Sequence, residues 1–595
     1  MSSRHRFGGW AFTVMGMLTA PAYAVPFNLG SVEGQFDSQF ALGSAWGTAS
    51  PSPRLIGASN GGRSWAASND DGRLNFKRGE PFSQRVSGTH ALELRYQDSG
   101  LYVRGRYWYD FTLKDRDPAF KGIDDNGRAQ QARSSGGQWL EAFAWHNYQL
   151  ADQPGTVRVG RQIVHWGEAQ FIGGGIDAIN PPGATLYPTA ASPWRDEALP
   201  ASLLYVHQGL AERWSMDAFY QLRWEAAGQR NCGTFFAQSD VLAKGCDGNF
   251  ALGPSRSQLD AQLASLGVAP RQAALGVLGA AASPDEGVVV RRGHDREAGD
   301  SGQFGVAVHY YADPLATDFG AYFMNYHSRL PVLSGRAGGG QSLSSALAAA
   351  GVPVSDALLQ ALSPSWLAGQ AQYEVRYPQN IHLYGVSFSS TLPEGTRWRG
   401  ELSYRPNAPV QRNWLQVLQA SADGQADAGY QRKALTQLQT SLEHTFDSGL
   451  GADQFSLAGE VGFTHLSHLG NGYYGRDAAF GPPPGQCQAG ARYCEDDGFT
   501  TENAWGYRAR AQWAFREVVP RLELRPSLGW AHDVKGYAPD PGGNFQEGRK
   551  AITVGMDADY QRTYTASLAY TNFFGGKYTT VDDRNFVSLS LGLRF

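Results

Sequence analysis

The sequence predicts an all-β fold: a transmembrane antiparallel β-barrel of about eighteen strands, with about 16 to 20 compatible with the segment boundaries. Three observations predict it. The 595 residues include 73 Gly, 16 Trp, 27 Tyr and 30 Phe, yet only 18% are charged and the mean hydropathy is −0.38. Alternating polar and apolar residues average out in this way, whereas a helical membrane protein needs runs of about 20 apolar residues, and none follows the N-terminus. Segments with period-two alternation recur along the chain, and the connections between them are alternately long and short. The near-balance of 51 basic and 55 acidic residues gives no reason to expect a nucleic-acid partner.

In chain order, residues 1–24 read as a signal peptide. Arg4, His5 and Arg6 precede an uncharged, mostly apolar stretch from Phe7 to Leu18, and Ala22-Tyr23-Ala24 offers the small-x-small cleavage pattern. Cleavage after Ala24 leaves residues 25–595 as a single barrel domain in the outer membrane of a Gram-negative cell.

The first strand, 32–46, puts Val32, Phe36, Phe40, Leu42 and Trp46 on one face and Glu33, Gln35, Asp37 and Gln39 on the other. Strands at 90–97 and 101–112 follow. In the latter, Leu101, Val103, Tyr107, Tyr109 and Phe111 suit lipid, while Arg104, Arg106, Trp108 and Asp110 suit a wet lumen. The series continues at 138–150, 156–166, 200–208, 212–224, 302–312, 316–328, 380–392, 396–406, 434–447, 453–467, 504–517, 520–533, 548–560, 563–574 and 583–595. In the last, Val587, Leu589, Leu591, Leu593 and Phe595 alternate with Ser588, Ser590, Gly592 and Arg594; the terminal Phe is the expected signal for the barrel-assembly machinery. Short connections carry turn residues, as at Asp98-Ser99-Gly100 and Pro393-Glu394-Gly395. The long ones, 47–89, 167–199, 225–301, 329–379 and 468–503 among them, are expected on the outer side.

The four cysteines fall in two of those loops. Three pairings are possible, and short-loop closure favours Cys232 with Cys246 and Cys487 with Cys494 over a metal site. Ser257–Ala282 and Ser342–Leu362 have helical apolar spacing; such helices would either cap the mouth by packing on each other or fold inward as a plug. Trp166-Gly167-Glu168, Gly173-Gly174-Gly175, Asn180-Pro181-Pro182, Trp194 and Arg195 form a Gly-rich loop suited to folding over or into the mouth. Candidate lumen or mouth residues are therefore Arg104, Arg106, Trp166, Glu168, Asn180, Trp194 and Arg195.

Arg158–Glu168 with Ile179-Asn180-Pro181, then Leu199-Pro200, Phe219–Glu225, Gly320–Pro331, Leu383–Ser389 and Gly400–Asn407, together resemble a proteobacterial outer-membrane family catalogued as a domain of unknown function. The resemblance covers essentially the whole mature chain. It implies a barrel in the envelope and, because members are often encoded beside resistance–nodulation–division pumps and a lipoprotein-like protein, a periplasmic or pump partner. It carries no catalytic set.

Chemistry has weak support. Gly57-Ala58-Ser59-Asn60-Gly61 matches a serine-hydrolase elbow, but it lies in a polar loop, and so Gly-rich a chain is expected to contain such a match by chance. Acidic turns at Asp70-Asp71-Gly72, Asp124-Asp125-Asn126-Gly127 and Glu495-Asp496-Asp497-Gly498 lack calcium-loop spacing and read as solvated. No cofactor, metal or enzymatic activity is expected. The expected function is a channel or transporter passing a small hydrophobic or amphipathic molecule through a loop-plugged lumen gated by 167–199, 225–301 and 329–379. The alternative is a non-transporting anchor or docking protein for an envelope or pump complex. The expected partners are outer-membrane lipids, the assembly machinery and a small-molecule cargo.

Overall fold

The computed structural model describes residues 25–184, 186–246, 250–252, 255–278, 282–283, 287–337, 342–487 and 492–595. The signal-peptide segment 1–24 lies outside the described residues. Eighteen antiparallel strands close into a barrel. They are β1 Val32–Gly47, β2 Pro81–Tyr96, β3 Ser99–Asp110, β4 Ser135–Leu150, β5 Gln153–Gln162 and β6 Ala201–Ala211. Next come β7 Trp214–Gln221, β8 Phe304–Ala312, β9 Thr317–Tyr326, β10 Ile381–Thr391, β11 Arg397–Gln411 and β12 Tyr430–Phe446. The last are β13 Gln454–Leu466, β14 Asn503–Val519, β15 Leu522–Lys535, β16 Lys550–Tyr560, β17 Tyr564–Phe574 and β18 Phe586–Arg594.

Each strand pairs with its sequence neighbour, and β18 returns to β1 with Phe40 opposite Leu593, so the sheet has no free edge. Past β18, Ser38 and Phe595 exchange backbone hydrogen bonds of 2.6 and 2.9 Å, and the Phe595 ring stacks on Phe40 at 5.8 Å. A short strand, Val25–Leu29, pairs with the start of β1 beyond that point.

The alternation has the expected outcome. Leu101, Tyr107, Leu589 and Leu591 are exposed on the outer wall, where lipid would cover them, while Trp108 and Asp110 are buried inside. Glycine and aromatic residues are abundant for a shared reason. Strand glycines leave room for the rings of neighbouring residues: a Cβ at Gly88 would lie 2.4 Å from Tyr107, at Gly100 2.0 Å from Trp145 and at Gly400 2.5 Å from Phe388.

Two strand boundaries differ from expectation in ways that shape the lumen. β2 begins at Pro81 rather than 90, because its outward positions there are Gln84, Val86 and Gly88 and lack the apolar pattern that marks lipid contact. β5 ends at Gln162 rather than 166, because the chain turns inward at that point.

Among the described residues, the helices of loops 225–301 and 329–379 are Arg256–Ser265, Arg271–Val277, Leu343–Ala349 and Asp356–Gln370. They pack on each other through Leu259, Leu263, Leu275, Leu347, Leu358 and Leu362. Beside them, strands Phe250–Leu252, Ala282–Ser283, Gly287–Arg292, Val332–Arg336 and Gln372–Arg376 form a second sheet. Val290, Leu333 and Tyr373 of that sheet share an apolar core with Ala66, Val241, Ala478 and the helix Trp414–Ala422. The loops thus bury their apolar surface against one another. Disulfides Cys232–Cys246 and Cys487–Cys494 close two of these loops.

Candidate functional site

The segment that enters the lumen lies between β5 and β6, its described residues being 163–184 and 186–200. A loop inside a barrel leaves the water that would otherwise serve its backbone, so its N–H and C=O groups need partners on the wall. Two buried carboxylates supply acceptors. Glu401 on β11 accepts from the backbone N–H of Glu168, from Ala169 at 3.1 Å and from Ile176 at 2.9 Å, and also from Gln439 Nε2 at 2.9 Å. Glu460 on β13 accepts from the N–H groups of Gln170, Phe171 and Ile172 at 3.1, 2.6 and 2.8 Å. Donors come from Arg405, which reaches the carbonyls of Gly174 (2.7 Å) and Gly175, and from Gln437, which reaches Gly173 at 2.8 Å. Farther round the wall, Thr553 on β16 accepts from Ala190 N–H at 2.9 Å, and Ser83 on β2 lies 3.1 Å from the Tyr187 hydroxyl.

Close approach explains the glycines. A Cβ at Gly175 would stand 1.8 Å from Glu401 Oε1, and one at Gly173 would stand 2.4 Å from the Trp194 ring. The neck of the loop is pinned by Asn180. Its Oδ1 accepts from Val164 N–H at 2.9 Å, and its Nδ2 donates to the carbonyls of Gln162 and Leu199 at 3.2 and 2.9 Å.

The candidate residues take different places. Trp166 is only 2% exposed and packs on Phe219 and Tyr322, with ring centroids 5.2 and 5.8 Å away, so it anchors the loop to the wall. Glu168 faces Arg399 at 3.8 Å, and Arg195 donates to the Gly167 carbonyl. Asn180 and Trp194 line a cavity of about 360 Å³ that also touches Asp177, Arg329 and Arg405. Arg104 and Arg106 line a separate chamber of about 610 Å³, between β1–β4 on one side and residues of 183–200 and 229–236 on the other.

Sequence reasoning missed Glu401, Glu460, Gln437 and Arg405, because alternation assigns a face without saying what that face will hold. It missed Arg85, a third arginine of the chamber, because 81–89 was not read as strand.

In the loops after β1 and β7, Asp70, Asp71 and Asp240 bring buried carboxylate oxygens within 4.8 Å of one another. This corrects the solvated reading of Asp70-Asp71-Gly72. The loops are pressed together there, and a Cβ at Gly72 would lie 2.1 Å from the Thr234 carbonyl oxygen. Burial pushes all three carboxyls above the usual carboxylate range, even with Lys121 Nζ 3.1 Å from Asp71. Asp124 and Asp497, in the other two acidic turns, are exposed. Ser59 sits in a one-turn helix, Ala58–Asn60, within the loop after β1.

A family model described as "Protein of unknown function (DUF1302)" matches residues 6–595. No curated protein matches the sequence. Among solved structures, the chain is similar to Acinetobacter baumannii OccAB2, at 11% identity and a TM-score of 0.39, covering 94% of this chain and 98% of that one. It is similar to Pseudomonas aeruginosa OccD3 (OpdP), at 11% identity and a TM-score of 0.38, covering 97% and 95%. It is also similar to the outer membrane channel DcaP of Acinetobacter baumannii, at 5% identity and a TM-score of 0.34, covering 95% and 98%.

Proposed function

This chain belongs to the DUF1302 family, and from that premise we propose that it is an outer-membrane channel for a small hydrophobic or amphipathic molecule. One observation carries the reading. Segment 163–200 is built into the lumen by Glu401, Glu460, Arg405 and Gln437, and it leaves a chamber along the β1–β4 wall. A barrel that served only as an anchor would have no use for so many buried polar groups spent on holding a loop across its interior. In a channel, that loop sets the width and chemistry of the passage. The element that narrows the lumen is therefore 163–200, while the loop helices form the roof.

The test is solute uptake by liposomes containing the purified protein, with and without helix segments 256–277 and 343–370. The expected result is uptake of small amphipathic solutes, faster once the roof is removed. Absence of uptake in both preparations, together with absence of conductance, would contradict the channel and favour the anchor or docking reading.

A further inference from the structure

We propose that the chamber beside Arg85 and Arg106 is a binding subsite for the carboxylate head of a small amphipathic anion. This rests on the channel reading and narrows its substrate class. The charged groups lining the chamber are Arg85, Arg104, Arg106, Arg133 and Arg230 against Asp110 and Asp196.

Neither Arg85 nor Arg106 makes an ion pair with a carboxylate among the described residues. Among the described residues, the Arg85 guanidinium has no hydrogen-bond or salt-bridge partner; its contact is the face of Trp108, 5.1 Å away. Arg106 lies 5.4 Å from the same ring and donates to the neutral Gln138 Oε1 at 3.0 Å, while its Nε is buried without a partner. Asp110, the carboxylate beside them, is occupied by neutral donors. It accepts from the Ser83 hydroxyl, from Gln84 N–H at 3.1 Å and from Leu113 N–H at 3.2 Å.

Other buried arginines of this molecule are held by oxygen acceptors: Arg329, Arg405 and Arg476 donate to carbonyls, a hydroxyl or an amide oxygen, and several others meet carboxylates. Arg73 pairs with Asp583 at 3.0 Å, Arg508 and Arg549 with Asp533 at 2.7 Å each, and Arg104 with Glu141 at 2.9 Å. Two like charges on one indole at the chamber wall repel each other, and an anion bound beside them in the chamber lowers that cost. A guanidinium offers paired N–H donors that match the two oxygens of a carboxylate.

Apolar groups also line the chamber. Phe82 stacks on Phe235 at 4.1 Å, with Phe236 edge-on at 5.5 Å, and Leu113 and Leu140 are among the lining residues. An inorganic anion would leave this aromatic wall unused. A compact anion with an apolar body would use both the arginines and the rings, and the inserted loop lines the chamber through Tyr187, Pro193, Leu199 and Pro200.

The test compares 3-phenylpropionate with its uncharged amide, using the full mature chain in nanodiscs and calorimetric titration. The two probes share shape and apolar body and differ in charge. The carboxylate is expected to bind at least about tenfold more tightly than the amide. The Arg85→Gln/Arg106→Gln variant is expected to lose that preference, and Arg85→Gln alone to lose part of it. Equal binding of the two probes to the unmodified protein, or no binding of either, would overturn the subsite without reference to any variant. A correctly assembled double variant that kept the full preference would overturn it too. Because binding is read without transport, a protein that binds the carboxylate but passes no current refutes the channel and leaves the subsite standing. One that conducts but does not discriminate between the probes does the reverse.

Discussion

Glu401 shows how much one inward side chain can hold. Its two oxygens serve three backbone N–H groups of the inserted loop and one side-chain amide. Glu401→Ala strands those donors in a closed space, at about 1–3 kcal/mol each if water does not reach them. Hydrogen exchange at 168–176 should then accelerate by orders of magnitude while the strand amides stay protected; unchanged protection at 168–176 would refute the anchoring role. The Asp70, Asp71 and Asp240 cluster makes a second prediction at this scale. Their folded-state pKa values lie above those of an unfolded Asp, near 3.9, so the folded loops hold protons that the unfolded chain has released. The contribution to stability is therefore fully present below about pH 4 and declines as pH rises through the raised values. Limited proteolysis of segments 48–80 and 222–303 should be faster near pH 8 than near pH 5, and Asp71→Asn should flatten that dependence. Sequence alone made the Gly173–Gly175 run and Asn180 visible as a loop able to fold inward. It could not show Glu401 meeting Gly175, because that contact joins residues far apart in sequence through a register that no local pattern encodes.

Strands were more legible than loops, for a physical reason. A wall between lipid and water imposes period-two alternation on each crossing, and the Leu101–Phe111 and Val587–Phe595 patterns are direct imprints of it. Where the outer face is not lipid-like, the imprint fades, as at residues 81–89 in the first half of β2. There the outward side is completed by a neighbour's ring, Tyr107 lying over Gly88. Gly88→Ala should displace that ring and lower slightly the temperature at which the barrel loses its heat-modifiable mobility in detergent gels, at a cost of about 0.5 kcal/mol, since only the outer end of an exposed side chain must move. An unchanged transition would show that the ring is not seated on the glycine. The loop helices were legible as helices from their Leu and Ala spacing. What they pack on was not, since an amphipathic stripe states that it needs cover without naming the cover. The structure supplies the answer, because Leu259 and Leu263 meet Leu358 and Leu362 of the other long loop.

At the scale of the molecule, composition, closure and interior belong to one account. Gly and aromatic residues build a smooth outer wall, and the closed seam between β1 and β18 removes the edge strands. Polar inward residues hold segment 163–200 across the lumen and leave an arginine-lined chamber beside it. The central claim is that this segment sets the width of a conduit. Single-channel conductance in planar bilayers tests it most directly, comparing the native chain with a Glu401→Ala/Glu460→Ala variant whose loop has lost both carboxylate anchors. The account predicts small, discrete conductance steps for the native protein, and steps several-fold larger or strongly fluctuating for the variant. No current from either protein, or identical steps from both, would contradict it.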